Sequence, residues 1–302
     1  MANDDTPRLQ ASDFPREVLG LFDQYVHGDI DRRGFIDGAS KFAVGGVTAA
    51  ALLEALSPRF AQAQQVRPGD ARIRVESLDF ASPQGYGNGR AYVARPAQAA
   101  GPLPVVLVVH ENRGLNPHTE DIARRLALDD FIAVAPDALR PLGGYPGDED
   151  KAREAFARLD QAKTREDVVA AARVAQALPG GNGRLGAVGF CWGGGMVNVL
   201  AERLPTLGAG VPFYGPAPAR DKVAGIKAPL MLFFASNDDR INAGWPPYEA
   251  ALKAAGARYE AFKYPGTEHG FNNDTTPRYD ATAAQQAWQR TVAFFNRSLR
   301  AA

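Results

Sequence analysis

The chain has 302 residues, of which 45% are hydrophobic and 23% charged, a balance typical of a globular protein with a buried core. Basic and acidic residues both number 34, so the net charge is zero and no basic surface for nucleic acid is expected. The single cysteine excludes an intramolecular disulfide and any zinc site built from cysteines. No apolar run is long enough for a stable membrane span. Composition leaves the oligomeric state open.

The first 63 residues differ in character from the rest and are predicted to form an N-terminal extension. Arg32 and Arg33 precede a weakly apolar stretch over residues 42–56 and a small-x-small pattern at residues 61–63. This order is typical of a twin-arginine export signal, which predicts a periplasmic or secreted protein. The alternative is a cytoplasmic protein whose ordered helical extension packs on the domain. The long polar stretch before the arginines, and Glu54 within the apolar stretch, favour that alternative.

Residues 64–302 alternate β-rich segments with helical patterns, which predicts an α/β domain. Such alternation implies a mostly parallel sheet with helices on both faces, and ligands bind these sheets at the carboxyl ends of the strands. The predicted strands are Ile73–Phe80, Gly89–Ala94, Val105–Val109, Phe131–Ala135, Leu185–Gly189, Gly210–Tyr214, Leu230–Phe234 and Tyr259–Tyr264. The predicted helices are Asp121–Leu128, Lys151–Leu159, Arg165–Leu178, one through Val197–Leu200, Pro247–Ala255 and Ala281–Leu299.

The fifth predicted strand leads into Gly189-Phe190-Cys191-Trp192-Gly193-Gly194, a G-x-C-x-G pattern. This is the thiol form of the nucleophile elbow of α/β-hydrolases, in which a strained turn between strand and helix carries the nucleophile. Small neighbours let the strand and the helix pass closely, and the positive end of the helix lowers the pKa of a thiol. A buried structural cysteine is the alternative. The strand–turn–helix context favours Cys191 as a nucleophile.

The partners of such a nucleophile follow it in the chain, the acid first and the base second. Of the four histidines only His269 follows Cys191, and it lies in a loop after the last predicted strand. His269 is therefore the predicted base, and a solvent-exposed loop histidine is the alternative. Asp238 and Asp239 both follow the seventh predicted strand, and their position alone does not decide which one orients the imidazole.

A second loop, at residues 110–114, directly follows the third predicted strand. A backbone N–H from this loop, with that of Asn112 as the candidate, would pair with the N–H of Trp192 to form an oxyanion hole. Glu111 would place a carboxylate near the thiol, which is costly unless it serves a purpose. The alternative is a carboxylate at the rim of the site, paired with Arg113.

Two further patterns resemble cofactor or metal sites, but neither fits. Residues 181–186 match G-x-G-x-x-G yet precede a strand, whereas a phosphate loop follows one, so a turn is predicted there. Residues 29–34 begin like a calcium loop. Arg33 then stands where an oxygen ligand belongs and Ser40 where a bidentate glutamate belongs. Neither a metal nor a cofactor is expected.

Five segments carry a family resemblance in their order and spacing. They are His110-Glu111-x-Arg113-Gly114, Pro136-Asp137, Gly189-Phe190-Cys191-Trp192-Gly193-Gly194, Asp238-Asp239-Arg240-Ile241 and His269-Gly270-Phe271. Over about residues 70 to 300 the chain resembles the dienelactone hydrolase family, the carboxymethylenebutenolidases of the α/β-hydrolase superfamily. The resemblance implies an α/β-hydrolase fold and opening of a small lactone or ester through a cysteine thioester. It also implies Asp238 as the acid, and Glu111 as a glutamate that engages the resting thiol and helps form the thiolate.

The best-known members of that family hold a substrate carboxylate with two arginines, one of them shortly after the triad histidine. Here no arginine follows His269 until Arg278, and Arg140, near the other expected place, is offset by one position. A neutral or weakly anionic ester or lactone is therefore expected. Position in the sequence predicts a pocket lined by Arg113, Tyr145, Trp192, Trp245 and Phe271.

Two other functions fit the same fold. A catalytically silent α/β-hydrolase used for binding is disfavoured by the complete set of Cys191, Asp238, His269 and Glu111. A hydrolase of a larger acyl or peptide substrate is disfavoured because no long cap insertion follows the sixth predicted strand.

Overall fold

The computed structural model describes residues 8–43 and 46–300, so residues 1–7 of the extension and residues 44–45 of its apolar stretch lie outside the described part. Before the sheet, the described chain forms helices α1 (Arg16–His27), α2 (Arg32–Ala39), α3 (Ala49–Leu56) and α4 (Phe60–Ala63). The apolar faces of α1, α2 and α3 pack on one another in an N-terminal cluster. Its buried members are Phe14, Val18, Leu19, Phe22, Tyr25, Phe35, Ala39, Ala49, Leu53 and Leu56.

Local capping explains where these helices begin and end. Gly28 adopts a left-handed φ of 85° and ends α1, and the Asp31 side chain accepts a hydrogen bond from the Gly34 N–H and begins α2. The arginine pair therefore forms the first turn of α2. Arg32 lies 3.3 Å from the Asp150 carboxylate, which belongs to the second part of the chain. The extension is folded against the domain, and the export prediction for the arginine pair stays a prediction.

An eight-stranded sheet forms the centre of the second part, in the order β1-β2-β4-β3-β5-β6-β7-β8. β1 pairs with β2 and β2 with β4 in antiparallel fashion, whereas the remaining neighbours are parallel. The strands are β1 (Ile73–Ser82), β2 (Gly87–Pro96), β3 (Leu103–Val109), β4 (Ile132–Pro136), β5 (Gly181–Phe190), β6 (Leu207–Phe213), β7 (Leu230–Ala235) and β8 (Tyr259–Tyr264). The prediction of a mostly parallel sheet is confirmed.

Helices cover both faces of this sheet. α7 (Gln161–Gln176), α8 (Trp192–Arg203) and α10 (Trp245–Ala254) bury apolar residues on one face. α5 (Pro117–Leu128) and α11 (Ala281–Leu299) do so on the other, which is the face that also contains Cys191. The remaining helices are α6 (Glu149–Ala157) and α9 (Asp239–Asn242). Within the described ranges, no helix is long and apolar enough to cross a membrane.

One predicted turn is wrong. Residues 181–186 form the first part of β5, which begins at Gly181 and pairs with β3. The register of that pairing shifts between Leu103 and Val105, and Gly183 adopts a φ of 79°. The glycines therefore accommodate a bulge within the strand, because glycine tolerates the left-handed conformation that the irregularity requires.

Candidate active site

Cys191 occupies a strained turn between β5 and α8. Its φ of 53° and ψ of −115° lie outside the regions that residues other than glycine commonly adopt. A Cβ atom on Gly189 would lie 2.2 Å from the Gly193 carbonyl oxygen, and one on Gly193 would lie 2.3 Å from that of Val109. Only glycine fits at these two positions, which are the ones that the G-x-C-x-G pattern singled out.

The predicted base and acid meet on the same edge of the sheet as Cys191. His269 follows β8 and Asp238 follows β7, and Nδ1 of His269 lies 2.5 Å from Oδ2 of Asp238. Both side chains are buried, whereas Asp239 is exposed. Nε2 of His269, the ring nitrogen that Asp238 does not contact, is also buried. The structure thus brings Cys191, His269 and Asp238 together and leaves Asp239 outside.

The structure adds a second histidine that sequence reasoning missed. His27, the last residue of α1, has its Nε2 atom 3.5 Å from Sγ of Cys191, and its ring centroid lies 4.8 Å from that of His269. The chain order of nucleophile, acid and base excludes His27 as the base, because His27 precedes Cys191. A helical apolar pattern over residues 18–26 could have placed it at a helix end. Nothing in the sequence links that end to a thiol 164 residues away.

The two histidines and the buried thiol alter one another's proton affinity. Burial alone would raise the pKa of the Cys191 thiol, but the His269 charge and hydrogen bonds from His269 and His27 lower it to about 6. Burial would likewise lower the pKa of His269, but the Cys191 charge and the Asp238 hydrogen bond raise it to about 10. At neutral pH these shifts favour a thiolate–imidazolium pair, the form in which cysteine is a nucleophile.

The structure places Glu111 in a polar contact at the site. Its Oε2 atom accepts a hydrogen bond of 3.0 Å from Nδ2 of Asn273, four residues after His269. Arg113 is directed elsewhere, because its Nε lies 3.7 Å from the Glu149 carboxylate. The alternative interpretation, a Glu111 carboxylate paired with Arg113, is therefore not what the structure shows.

The two candidates for the oxyanion hole differ in their surroundings. Trp192 is the first residue of α8, so its N–H has no carbonyl partner within the helix. Its indole stacks on the His110 ring at 5.4 Å and donates a hydrogen bond to Gln161. The Asn112 side-chain amide donates to the Val26 carbonyl of α1 at 2.9 Å. Backbone donation by Trp192 and Asn112 to a reacting oxygen stays a prediction.

Of the residues predicted to line a pocket, Trp245 and Phe271 do not face the thiol. Trp245 packs on Phe234 at 4.9 Å, on the face of the sheet opposite Cys191, because it begins α10 and not a loop over the site. Phe271 is fully buried behind Tyr214, so it supports the site instead of facing solvent.

Two of those residues do lie near the end of α1. Arg113 donates to the Val26 carbonyl at 3.1 Å, and Tyr145 donates to Glu149 at 2.8 Å. Because Glu149 also faces Arg113, these side chains form one polar group beside the last turn of α1.

The donor atoms of His27, Cys191 and His269 lie within 4.8 Å of one another and are of the types that bind zinc. However, Nη2 of Arg240 lies 2.8 Å from Nε2 of His27. A guanidinium beside one donor opposes a cation at this position. The arrangement therefore suits acid–base and nucleophilic chemistry better than metal binding.

Two different family models match the N-terminal helices and the sheet-containing part of the chain. The model of the "Dienelactone hydrolase family" matches residues 90–299, and a model described as "YqhI-like" matches residues 6–44. An Escherichia coli K12 protein named "Putative carboxymethylenebutenolidase" is 35% identical over 228 residues, covering 69% of this chain and 82% of the relative. Another E. coli K12 relative, "Putative hydrolase fragment YghX", is 49% identical over 114 residues, covering 38% of this chain and 97% of the relative.

Solved structures give the same result. A crystal structure from Klebsiella pneumoniae described as a "Putative Dienelactone Hydrolase" has 31% identity and a TM-score of 0.65, covering 74% of this chain and 98% of that one. The match over residues 90–299 contains Cys191, Asp238 and His269 in one continuous segment. The chain has the α/β-hydrolase fold and belongs to the dienelactone hydrolase family.

Proposed function

We propose that this hydrolase opens small carboxylic esters or lactones, with Cys191 as the nucleophile. The observation that carries the proposal is the position of the Cys191 thiol, on a strained strand–helix turn beside a histidine that is itself held by Asp238 at 2.5 Å. The family supports a hydrolase, and the relatives named as carboxymethylenebutenolidases support a lactone or ester as the substrate class.

In the proposed mechanism His269 holds the proton of the thiol, and the Cys191 thiolate attacks the carbonyl carbon. The C–S bond forms as the carbonyl oxygen takes up negative charge, and the backbone N–H groups of Trp192 and Asn112 receive this oxyanion. When the C–O bond breaks, the imidazolium of His269 protonates the leaving alkoxide. Neutral His269 then removes a proton from water, the hydroxide attacks the thioester, and the carboxylic acid leaves as the thiolate reforms.

Asp238 and Glu111 have supporting roles in this proposal. Asp238 keeps His269 in the tautomer whose Nε2 faces the sulfur, and it stabilises the imidazolium that forms. Glu111 controls the protonation of the thiol. Its 3.0 Å hydrogen bond with Asn273 ties it to the loop that carries the base. If the Glu111 carboxylate left Asn273 and turned to the thiol, the loop at residues 110–114 and the loop after β8 would change together.

A neutral or weakly anionic substrate suits Arg113 and Arg278, two of the arginines near the site, because both are paired with carboxylates of the protein. Arg113 faces the Glu149 carboxylate and donates to the Val26 carbonyl, and Arg278 lies 3.3 Å from the Asp23 carboxylate. A substrate carboxylate would have to displace one of these partners.

A panel of short-chain chromogenic esters and small lactones tests the proposal, with the parent and Cys191→Ala assayed side by side. We expect turnover of at least one ester or lactone by the parent and its loss in Cys191→Ala. Equal turnover by both proteins would remove Cys191 from the mechanism, and no turnover of any ester or lactone would refute the proposed substrate class.

We also propose export through the twin-arginine signal at Arg32 and Arg33, with a periplasmic or secreted location. The motif order in the sequence supports it, and the packing of α2 against the domain is compatible with export of a folded protein. N-terminal sequencing of the native protein tests cleavage. A start near Gln64 would show export with cleavage. An intact extension in protein recovered from the periplasm or the medium would show export without cleavage, and an intact extension in protein found only in the cytoplasm would contradict the proposal.

A further inference from the structure

The last turn of α1 reaches the thiol from outside the segment that defines the family. His27 lies within residues 6–44, whereas the family match begins at residue 90. Its Nε2 atom is 3.5 Å from Sγ of Cys191, and a sulfur hydrogen bond has about this length. The part of the chain that looks like an appendage therefore touches the reacting atom of the proposed mechanism.

Asp23 orients His27 through its backbone carbonyl, and its carboxylate lies close to the same ring nitrogen. Nδ1 of His27 lies 2.7 Å from the Asp23 carbonyl oxygen and 3.4 Å from its carboxylate, one helical turn earlier. Asp23 is held in turn by Arg278, from the loop that follows His269. Each of the two imidazoles beside the thiol thus has a carboxylate close to its Nδ1, but only that of His269 is hydrogen-bonded to the carboxylate. A histidine whose Nδ1 is engaged in this way presents its Nε2 to the sulfur.

Contacts to the hydrolase segment fix the end of α1 in this position. The Val26 carbonyl accepts hydrogen bonds from Asn112 and Arg113 at 2.9 and 3.1 Å, and the Tyr25 hydroxyl donates to Asp150. These contacts hold Tyr25 and Val26, the two residues that precede His27. The imidazole is therefore positioned by the docking of the helix and not by chance contact of a surface side chain.

Several charged or titratable groups face the thiol and His27 from the neighbouring elements. Nη2 of Arg240, from α9, lies 2.8 Å from Nε2 of His27. A neutral ring accepts this guanidinium hydrogen bond at Nε2, whereas a protonated ring gives it up and donates the same Nε2–H to the thiolate. The other groups are Asp23, Glu111, Arg113, Tyr214, His269 and Arg278.

The balance of these groups favours the protonated ring. Burial and the charge of His269 would lower the pKa of His27, but its hydrogen bonds with Asp23 and Cys191 and the Cys191 charge raise it to about 9. A cationic donor favours the charged form of a thiol, and an opposite charge within about 4–6 Å lowers a pKa by about 1–3 units.

We infer that His27 is a further catalytic residue, an imidazolium that donates its Nε2–H to the Cys191 thiolate and so holds the nucleophile ready from outside the hydrolase segment. The inference rests on the proposed role of Cys191 and on a working protein that keeps its N-terminal helices. It gives the N-terminal helices a chemical task, because they complete the environment of the thiolate.

The pH dependence of alkylation tests this role, since iodoacetamide reacts with the thiolate and Cys191 is the only cysteine. The full-length parent, His27→Gln and Gln24→Ala are compared at pH 6 and pH 9, with the exposed α1 residue Gln24 as the matched control. Loss of the cation raises the pKa of the thiol. For a shift of about one unit, alkylation of His27→Gln is expected to fall about fivefold at pH 6 and to stay within about twofold at pH 9. Gln24→Ala is expected to match the parent at both pH values.

Two results would overturn the inference. One is an unchanged pH profile in His27→Gln. The other is faster alkylation at both pH values, which would show that the side chain only covers the sulfur. If His27→Gln does not fold, Asp23→Asn replaces it, with a smaller fall at pH 6 as the expected result and no fall as the contrary one. Retained turnover in Cys191→Ala would instead refute the proposed function, and the alkylation profile of the parent does not depend on that outcome.

Discussion

Two pairs of imidazole and carboxylate flank one sulfur atom, and they are attached to different parts of the molecule. His269 and Asp238 come from loops after neighbouring parallel strands, are almost fully buried, and lie 2.5 Å apart. His27 and Asp23 lie four residues apart on one helix, are partly exposed, and are separated by 3.4 Å. The first pair is positioned by the sheet, and the second by the docking of a helix.

This difference separates two ways of building a site. The geometry of the first pair requires only that β7 and β8 lie side by side, which the core of the sheet ensures. The geometry of the second pair is local to α1, but its distance to the thiol depends on the N-terminal cluster and on the contacts of Val26 and Tyr25. Damage to the N-terminal cluster should therefore affect the second pair and spare the first.

The largest effect is expected from His269→Gln. Loss of the base removes the group that accepts and returns the proton in both half-reactions, and general acid–base catalysis contributes about 10²–10⁴-fold. We expect kcat/KM for an accepted ester to fall about 10³-fold, well beyond the effect of His27→Gln. A larger loss in His27→Gln, measured with the same ester, would reverse the assigned order of the two histidines.

Asp238→Asn should have the next largest effect on turnover. An asparagine cannot stabilise the imidazolium as a carboxylate does and can hold the wrong tautomer. We expect kcat/KM to fall about 10²-fold in steady-state assays, at the lower end of the roughly 10²–10⁴-fold that general acid–base catalysis contributes. The neighbouring exposed residue gives the control, because Asp239→Asn is expected to stay within about twofold of the parent. An equal loss in both variants would contradict the choice of Asp238.

Phe35→Ala tests whether the N-terminal helices can loosen independently. Phe35 is fully buried and contacts the rings of Phe22 and Tyr25. Removing a buried phenylalanine side chain costs about 3–5 kcal/mol, so the amides of α1 should exchange with deuterium at least about 10²-fold faster. The amides of β5 are expected to keep their rates. Equal acceleration in α1 and β5 would show that the two regions unfold together.

A smaller, pH-dependent effect on the free energy of unfolding is expected from Asp274, which contacts the chain just after the N-terminal helices. Gln65 and His118 contact the Asp274 carboxylate, and Arg125 lies 2.6 Å from it. Burial would raise the pKa of Asp274, but the His118 hydrogen bond and the charges of His118 and Arg125 lower it from 3.8 to about 2. A carboxyl group with a depressed pKa stabilises the fold above its unfolded pKa and loses this contribution as the pH falls through its folded pKa.

Asp274→Asn isolates that contribution. The difference in free energy of unfolding between parent and variant should narrow by about 2 kcal/mol between pH 5 and pH 2, because one unit corresponds to about 1.4 kcal/mol. Urea titrations at several pH values measure it. A difference that does not change with pH would show that Asp274 is not stabilised in its charged form.

The hydrolase segment could be predicted from sequence because its signals are local or follow from topology. The apolar run in β3, the G-x-C-x-G turn and the chain order of Cys191, Asp238 and His269 each follow from rules that hold for one sheet edge. Asp238 and Asp239 could not be separated by position alone. The structure shows that Asp238 caps α9, and its side chain faces His269 while Asp239 points to solvent.

The rest of the site could not be predicted, because it depends on how separate segments dock. His27 reaches the thiol only through the packing of α1. Trp245 lies far from the thiol because α10 is on the opposite face of the sheet. Asn273 meets Glu111 across two loops that are far apart in the chain. Contacts of this kind leave no periodic or spacing signal in a single sequence.

The most direct test of Cys191 as the nucleophile is mass spectrometry of the protein after rapid acid quenching during turnover of a slowly hydrolysed ester. An added acyl group on the peptide that contains Cys191, removable by hydroxylamine and absent from Cys191→Ala, is the expected result. Turnover by the parent with no acyl group on Cys191 at any quench time, and with Cys191→Ala still active, would contradict it.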